Sequence, residues 1–407
     1  MINSPLQSKE FRWFISARFF FIMALRMVAV AMVWHVSILT KNTLAVGILG
    51  LSEVIPAIGF ALYAGHVVDI SDKRKLLLKC IAFYGICLIL LIAATSSVAE
   101  INLKKQIIVW SIYACIFLTG IIRSFAGPAF SAFIAQIISR EYLAKAITIS
   151  TASWQTASVV GSLLTGFLIA FLGITYTLIV ILFFVLFAVL SMLFIKSRQV
   201  QRIAGEKKTL ESVKEGIRFV MNTKAILGAL SLDLFAVFFG GATAMLSFYV
   251  TDILKVGPIW FGWLNAATSM GAIGVLLAIS IKPITAKQGK ILLYAVAGFG
   301  ICIITFALSK NVWLSLTALL VSGIFDGLSV VIRSTILQLY VPDEMRGRVS
   351  SVSSIFINSS NELGQFESGV AAKMMGTVPS VVFGGCMTLL VVAITWFKAP
   401  TLRKMEY

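Results

Sequence analysis

About twelve membrane-spanning helices, and an all-α membrane protein, are what these 407 residues encode. Three observations say so. Hydrophobic residues make up 59% of the chain and charged ones only 13%, against roughly 25% charged in a soluble domain. Apolar runs of the length a bilayer demands, about 20 residues, recur from end to end. The basic residues, finally, are distributed with a bias that fixes an orientation.

In chain order, helices are expected at roughly 12–39, 44–65, 76–95, 106–134, 143–172 and 174–195. A second set follows at 224–250, 260–281, 290–308, 312–340, 348–375 and 378–397. The runs Ile174 to Ile195 and Pro379 to Phe397 contain no charge. Backbone this apolar needs lipid as its solvent and a helix to satisfy its polar groups. With the N-terminus in the cytoplasm, only Lys41, Lys104, Lys105, Lys255, Lys310 and Lys373 fall in external loops. Arg18, Arg26, Arg123 and Arg333 fall inside helices, and the rest of the 34 Lys and Arg lie in cytoplasmic segments. This positive-inside pattern places both termini in the cytoplasm. It assigns the net charge of +17 to anionic lipid headgroups and not to nucleic acid. The first apolar run is too long for a signal peptide and no small-residue cleavage site follows it.

The longest cytoplasmic connection, 196–223, divides the chain into bundles at 1–195 and 224–407. Within it Leu210, Val213, Ile217 and Val220 recur at helical spacing opposite Glu211, Lys214, Glu215 and Arg218, which predicts an amphipathic helix on the membrane surface. The two halves read as a repeat. The segment from Thr119 aligns with that from Ser322, with Gln136 against Gln338 and Leu143 against Met345. Repeats of this kind place a substrate site at the membrane midplane.

Ionisable residues inside the spans are the functional pointers. They are Arg18, Arg26, Glu53, Arg123, Asp233, Asp326, Arg333, Glu362 and Glu367. Each costs about 2.5–3.5 kcal/mol at the bilayer centre, so together they exceed roughly 20 kcal/mol unless they pair or face water. Ser322, Asp326, Ser329 and Arg333 form one face of the tenth span, and Asn358, Glu362, Gln365 and Gly369 one face of the eleventh. Such a stripe lines either a cavity or an ion-paired helix seam. Arg18, about one turn in, suits snorkelling. Arg26, Glu53 and Arg123, the last with Gly120 and Gly127 on its face, are cavity candidates. So are Asp233 and Trp154, whose face also carries Ser150, Ser158 and Gly161. Trp260 and Trp263 suit the interfacial belt.

Other chemistries find no support. No Gly-rich phosphate loop ends in Gly-Lys-Ser/Thr. Two histidines and no nucleophile constellation leave an enzyme nothing to use. The five cysteines lie in apolar runs without metal-ligand spacing. No cofactor, metal or nucleic acid is therefore expected. A receptor or scaffold would need a soluble domain to signal through.

The loop Gly65-His66-Val67-Val68-Asp69-Ile70-Ser71-Asp72-Lys73-Arg74-Lys75 resembles the loop signature of the major facilitator superfamily: a Gly, an Asp four residues on, then a basic cluster. Ile70 and Asp72 depart from it. Arg123 and Gly127 resemble the family's fourth-helix motif, with Ala126 where Gln is usual. The segments from Leu232, Val341 and Asn361 resemble the drug and siderophore exporter branch that includes the enterobactin and macrolide exporters. In the fifth span Gly161-Ser162 and Thr165-Gly166 replace the family's Gly-Pro and Gly-Gly. The resemblance implies two pseudo-symmetric six-helix bundles and a monomer in the bacterial inner membrane. It implies a cytoplasmic gate at Gly65, Asp69 and Arg74. It also implies transport of a small amphipathic molecule (a siderophore, drug or metabolite) by a protein of this fold; alternating access coupled to protons is expected, with Glu53, Asp233, Asp326 or Glu367 as the acid that exchanges an Arg partner for an apolar wall between the two states. Export leads, and uptake by the same fold remains open.

Overall fold

The computed structural model describes residues 5–197, 209–282, 286–342 and 345–406. Among them every regular element is helical. In order these are α1 Lys9–Thr40, α2 Thr43–Ile70, α3 Lys73–Ala94, α4 Ser97–Asn102, α5 Lys105–Ile137, α6 Leu143–Leu193 and α7 Thr209–Asn222. There follow α8 Lys224–Phe239, α9 Leu246–Phe248, α10 Pro258–Ile281, α11 Gln288–Leu308, α12 Val312–Tyr340, α13 Arg346–Met375, α14 Thr377–Lys398 and α15 Pro400–Arg403.

Among the described residues nine helices are long and apolar enough to cross a bilayer, or ten if the bent pair 214–239 is one span. Two further crossings are present. At 51 residues α6 is about 75 Å of helix, more than twice the hydrocarbon thickness of about 30 Å. It breaks at Gly173, whose φ of 76° suits a residue without Cβ. The other is α13, too polar for a hydropathy criterion yet 30 residues long. With the bent pair counted as one span, the described residues carry the twelve crossings that the sequence predicts.

Local signals start and stop the helices. Ser8, Asp72, Ser96 and Asn311 cap α1, α3, α4 and α12 by accepting backbone N–H groups of the first turn. Pro258 opens α10, where its missing N–H costs nothing. Lys41 closes α1 in the left-handed region and donates its N–H to Ser37 O at 2.9 Å.

The chain partitions into two compact units: residues 1–41 with 52–205, and residues 42–51 with 206–407. In the first, α1 packs along α6, and α3 packs on α5 and α6. Its core is aromatic: Phe14 meets Phe130 and Phe133 edge-on, and Phe21 meets Tyr84. In the second, α12 packs on α10 and α11, α14 on α11, and α8 on α13 and α14. The α10–α12 crossing is close because Gly323 lies against the Thr268 backbone and Gly271 against the Leu320 carbonyl.

Two elements depart from expectation. The seventh span is not one helix over 224–250. Its helix α8 ends at Phe239, and a 3-10 turn at Ala242–Met245, the short α9 and a π-helical turn at Tyr249–Ile253 follow. The break is held by tertiary contact. A Cβ on Gly241 would sit 2.8 Å from the Gly364 carbonyl oxygen of α13. The amphipathic α7 forms as expected, but one side is covered by protein. Gly216 packs on the Arg348 backbone, Glu215 pairs with Arg348, and Val220 is buried in one cluster with Val349 and Val352. Part of the connection, 198–208, lies outside the described residues, as does the Asn358 side chain.

Candidate functional site

In the first unit, α1, α2, α5 and α6 bring charges together. Arg123 of α5 pairs with Glu53 of α2. The helices approach because residue 120 has no side chain: a Cβ there would lie 2.8 Å from Pro56 Cγ and against the Glu53 carbonyl. The second small residue on that face, Gly127, meets nothing within 4 Å. The charges of both Glu53 and Arg123 reach Arg26. Arg26 Nε donates to Ser162 Oγ of α6 at 3.0 Å, and one turn or two nearer the N-terminus Arg18 donates to Ser150 Oγ. The serine face of α6 therefore serves the arginines of α1. Trp154 on the same stretch is 42% exposed and the described contacts do not join it to them.

In the second unit, Arg333 of α12 pairs with Asp233 of α8, each side chain only 7% exposed. Arg333 Nε also donates to Ser329 O, 3.3 Å away. Beside the pair is a cavity of about 10 Å³, lined by Asp233, Asp326 and Ser329 on its polar side and by Val296, Phe299 and Phe325 on its apolar side. That is about the space one water needs. Among the described residues no hydrogen bond or ion pair engages the Asp326 carboxylate. So two carboxylates, one of them paired with Arg333, line one water-sized space. Glu367 of α13 accepts from Ser368 at 3.4 Å, next to the break after α8. Glu362 has a buried carboxylate oxygen. The neighbouring Gln365 donates to Val46 O at 3.3 Å and Thr43 Oγ1 to Gly369 O at 3.2 Å, which fastens the start of α2 to α13.

The loop between α2 and α3 is a capping device. Asp72 caps α3 through the Lys75 N–H at 3.1 Å and accepts from Ser197. Burial pushes its carboxyl up. The Ser197 hydroxyl, the Lys75 and Arg74 amides and the Lys75 charge outweigh this and hold it below the usual carboxylate range. Arg74 reaches the end of α6, donating to Met192 O and Leu193 O at 3.3 and 3.0 Å. The buried Lys73 ammonium donates to Asp69 O and Ser71 O. The Asp69 side chain itself is exposed, and Gly65 has open space where a Cβ would stand. Glycine at 65 therefore makes no close helix contact here.

Sequence reasoning found the charged residues but not their partners. Asp233 and Arg333 are 100 positions apart, and nothing local ties them. Ser162 stood out only as a departure from a motif, and it proves to be the acceptor for Arg26.

A family profile described as transmembrane secretion effector, within the major facilitator superfamily, matches residues 2–407. The chain belongs to the major facilitator superfamily. It is a multi-pass membrane transporter and not an enzyme. It is 25% identical over 361 residues to an uncharacterized MFS-type transporter of Bacillus subtilis (strain 168), covering 87% of this chain and 85% of that one. It is 24% identical over 405 residues to an enterobactin exporter of Shigella flexneri, covering 97% and 93%. In structure it resembles a D-xylose-proton symporter, with a TM-score of 0.76 at 11% identity and coverage of 98% and 99%. This last likeness shows the fold alone.

Proposed function

We propose that this transporter exports a small amphipathic molecule, of the siderophore or drug kind, in exchange for protons by alternating access. The observation that carries the coupling is the Asp233, Asp326 and Arg333 cluster. One guanidinium balances one carboxylate. A proton on Asp326 leaves the pocket neutral, and its departure leaves a buried negative charge that the protein must hydrate or pair. A carboxylate whose surroundings differ between two states binds a proton in one and releases it in the other. Glu53 with Arg123, and Glu367 at the helix break, are secondary candidates for the same role. One charge crossing 100 mV supplies about 2.3 kcal/mol, roughly fifty-fold accumulation.

Export is supported by the secretion-effector family and by the enterobactin exporter relatives. The distribution of Lys and Arg supports an inner-membrane protein with both termini in the cytoplasm. Residues 1–195 and 224–407 are taken as the two six-helix bundles, joined by 196–223, in a protein that acts as a monomer. Arg26, Arg123, Trp154 and Glu362 complete the set assigned to substrate or proton, with Gly65, Asp69 and Arg74 at the cytoplasmic gate. The test is transport in cells with and without the gene. Siderophores and a panel of toxic compounds are assayed on both sides of the membrane, with a proton uncoupler as control. Retention inside cells lacking the gene, reproduced by uncoupler in normal cells, is expected. Loss of uptake in those cells would overturn export.

A further inference from the structure

Outside the charged spans, the molecule carries a second basic feature, at the start of α1. Lys9, Arg12, Trp13 and Ser16 are spaced i, i+3, i+4 and i+7, so they share one face. Together they line an open cleft of about 310 Å³, at the small end of the ligand-site range. Lys9 and Arg12 are exposed. Trp13 is half-buried and stacks on Phe194, just beyond the end of α6, with ring centroids 4.7 Å apart. The Ser16 hydroxyl shares a hydrogen bond with that of Ser191 at 3.3 Å. No carboxylate is among the lining residues. Deeper along the same α1–α6 seam, Phe20 meets Phe187 at 5.6 Å and Phe184 at 5.9 Å, and Phe187 is 57% exposed.

We propose that this cleft binds the headgroup phosphate of an anionic phospholipid. Lys9 and Arg12 supply the positive charge, the latter with a fork that fits phosphate oxygens. The Ser16 hydroxyl adds a donor, and Trp13 takes the glycerol region, as an interfacial tryptophan does. The seam dictates the rest of the ligand. It changes from cationic to aromatic in the direction of the bilayer core, so a phosphate seated at Lys9 and Arg12 places acyl chain on Phe187. A soluble phosphate uses only the first half of this surface; a lipid uses all of it. The assignment rests on the spans crossing a membrane. It does not rest on the direction of transport or on which side the N-terminus lies.

The test uses the full-length protein in nanodiscs and native mass spectrometry. Phosphatidylglycerol, cardiolipin, phosphatidylcholine and inorganic phosphate are titrated in turn. The expected result is retention of the two anionic lipids and not of phosphatidylcholine. K9Q/R12Q should lose roughly thirty-fold in affinity for them, on the scale of one basic residue near an anionic surface each. If K9Q/R12Q accumulates poorly, R12Q alone gives the same reading, with a loss of about fivefold. Unchanged lipid affinity in these variants would overturn the site. Displacement of lipid by inorganic phosphate would overturn the lipid assignment. Because binding in a nanodisc reports neither leaflet nor transport, its failure is separate from any failure of the export reading.

Discussion

Removing Asp233 alone should cost far more than removing it together with Arg333. Both side chains are 7% exposed. Asp233→Asn keeps the shape and leaves the Arg333 guanidinium buried without its carboxylate. Breaking a buried pair in this way costs about 3–5 kcal/mol, a shift of more than a hundred-fold in the folding equilibrium. Among the described residues Arg333 makes no ion pair with Asp326. The latter lies seven residues earlier on α12, about 10 Å along the axis. The reverse single variant, Arg333→Gln, strands the Asp233 carboxylate and should cost a similar amount. In D233N/R333Q no charge remains to be desolvated, and the cost should fall to about 1–2 kcal/mol. The assay is the unfolding midpoint of the purified transporter in one detergent at pH 7, for the four proteins of the cycle. A double variant as unstable as the sum of the singles would refute the pairing. The Glu53–Arg123 pair is a built-in contrast. At 20% and 37% exposed, it should cost less to break than the Asp233–Arg333 pair.

Three further outcomes follow from the packing. The Asp72 carboxyl is held low, so its cap on α3 is fully present above the ordinary carboxylate value and is lost as pH falls through the folded one. Protection of the first turn of α3 against hydrogen exchange, corrected for the intrinsic rate at each pH, should therefore be high at pH 7 and fall below about pH 4, and D72A should show the low protection at pH 7 with a loss of about 1 kcal/mol. Leu402 is fully buried in one cluster with Ile226, Ala229 and Leu292, and Gly289 N–H bonds Met405 O at 3.1 Å. L402A should thus cost about 2–5 kcal/mol, read from the same unfolding midpoint. A Cβ at Gly323 would lie 2.6 Å from the Thr268 carbonyl carbon, so Gly323→Val should abolish accumulation of folded protein. Gly274→Ala, with nothing within 4 Å of the added carbon, should be tolerated.

The fold was legible because lipid imposes one rule on every span, and apolar runs with basic cytoplasmic loops record that rule directly. What pattern cannot carry is the identity of a neighbour. The periodicity of α7 gave its apolar face but not that Val220 would be buried with Val349 and Val352. Hydropathy carried the seventh span through to Val250, whereas Gly240 and Gly241 let it end early against Gly364 of α13 and Phe299 of α11. Asp72 looked like a motif departure and is the N-cap of α3. The intramembrane charges were visible one by one. Only the three-dimensional arrangement sorts them into Glu53 with Arg123 and Asp233 with Arg333, and leaves Asp326 on the cavity wall.

The measurement that bears most directly on the proposed coupling is proton movement in proteoliposomes containing the purified protein and its identified substrate. Addition of substrate should drive protons across the membrane in the wild type. Asp326→Asn should bind substrate with unchanged affinity and exchange it down a gradient, yet move no protons. Proton movement in Asp326→Asn equal to that of the wild type would contradict the account.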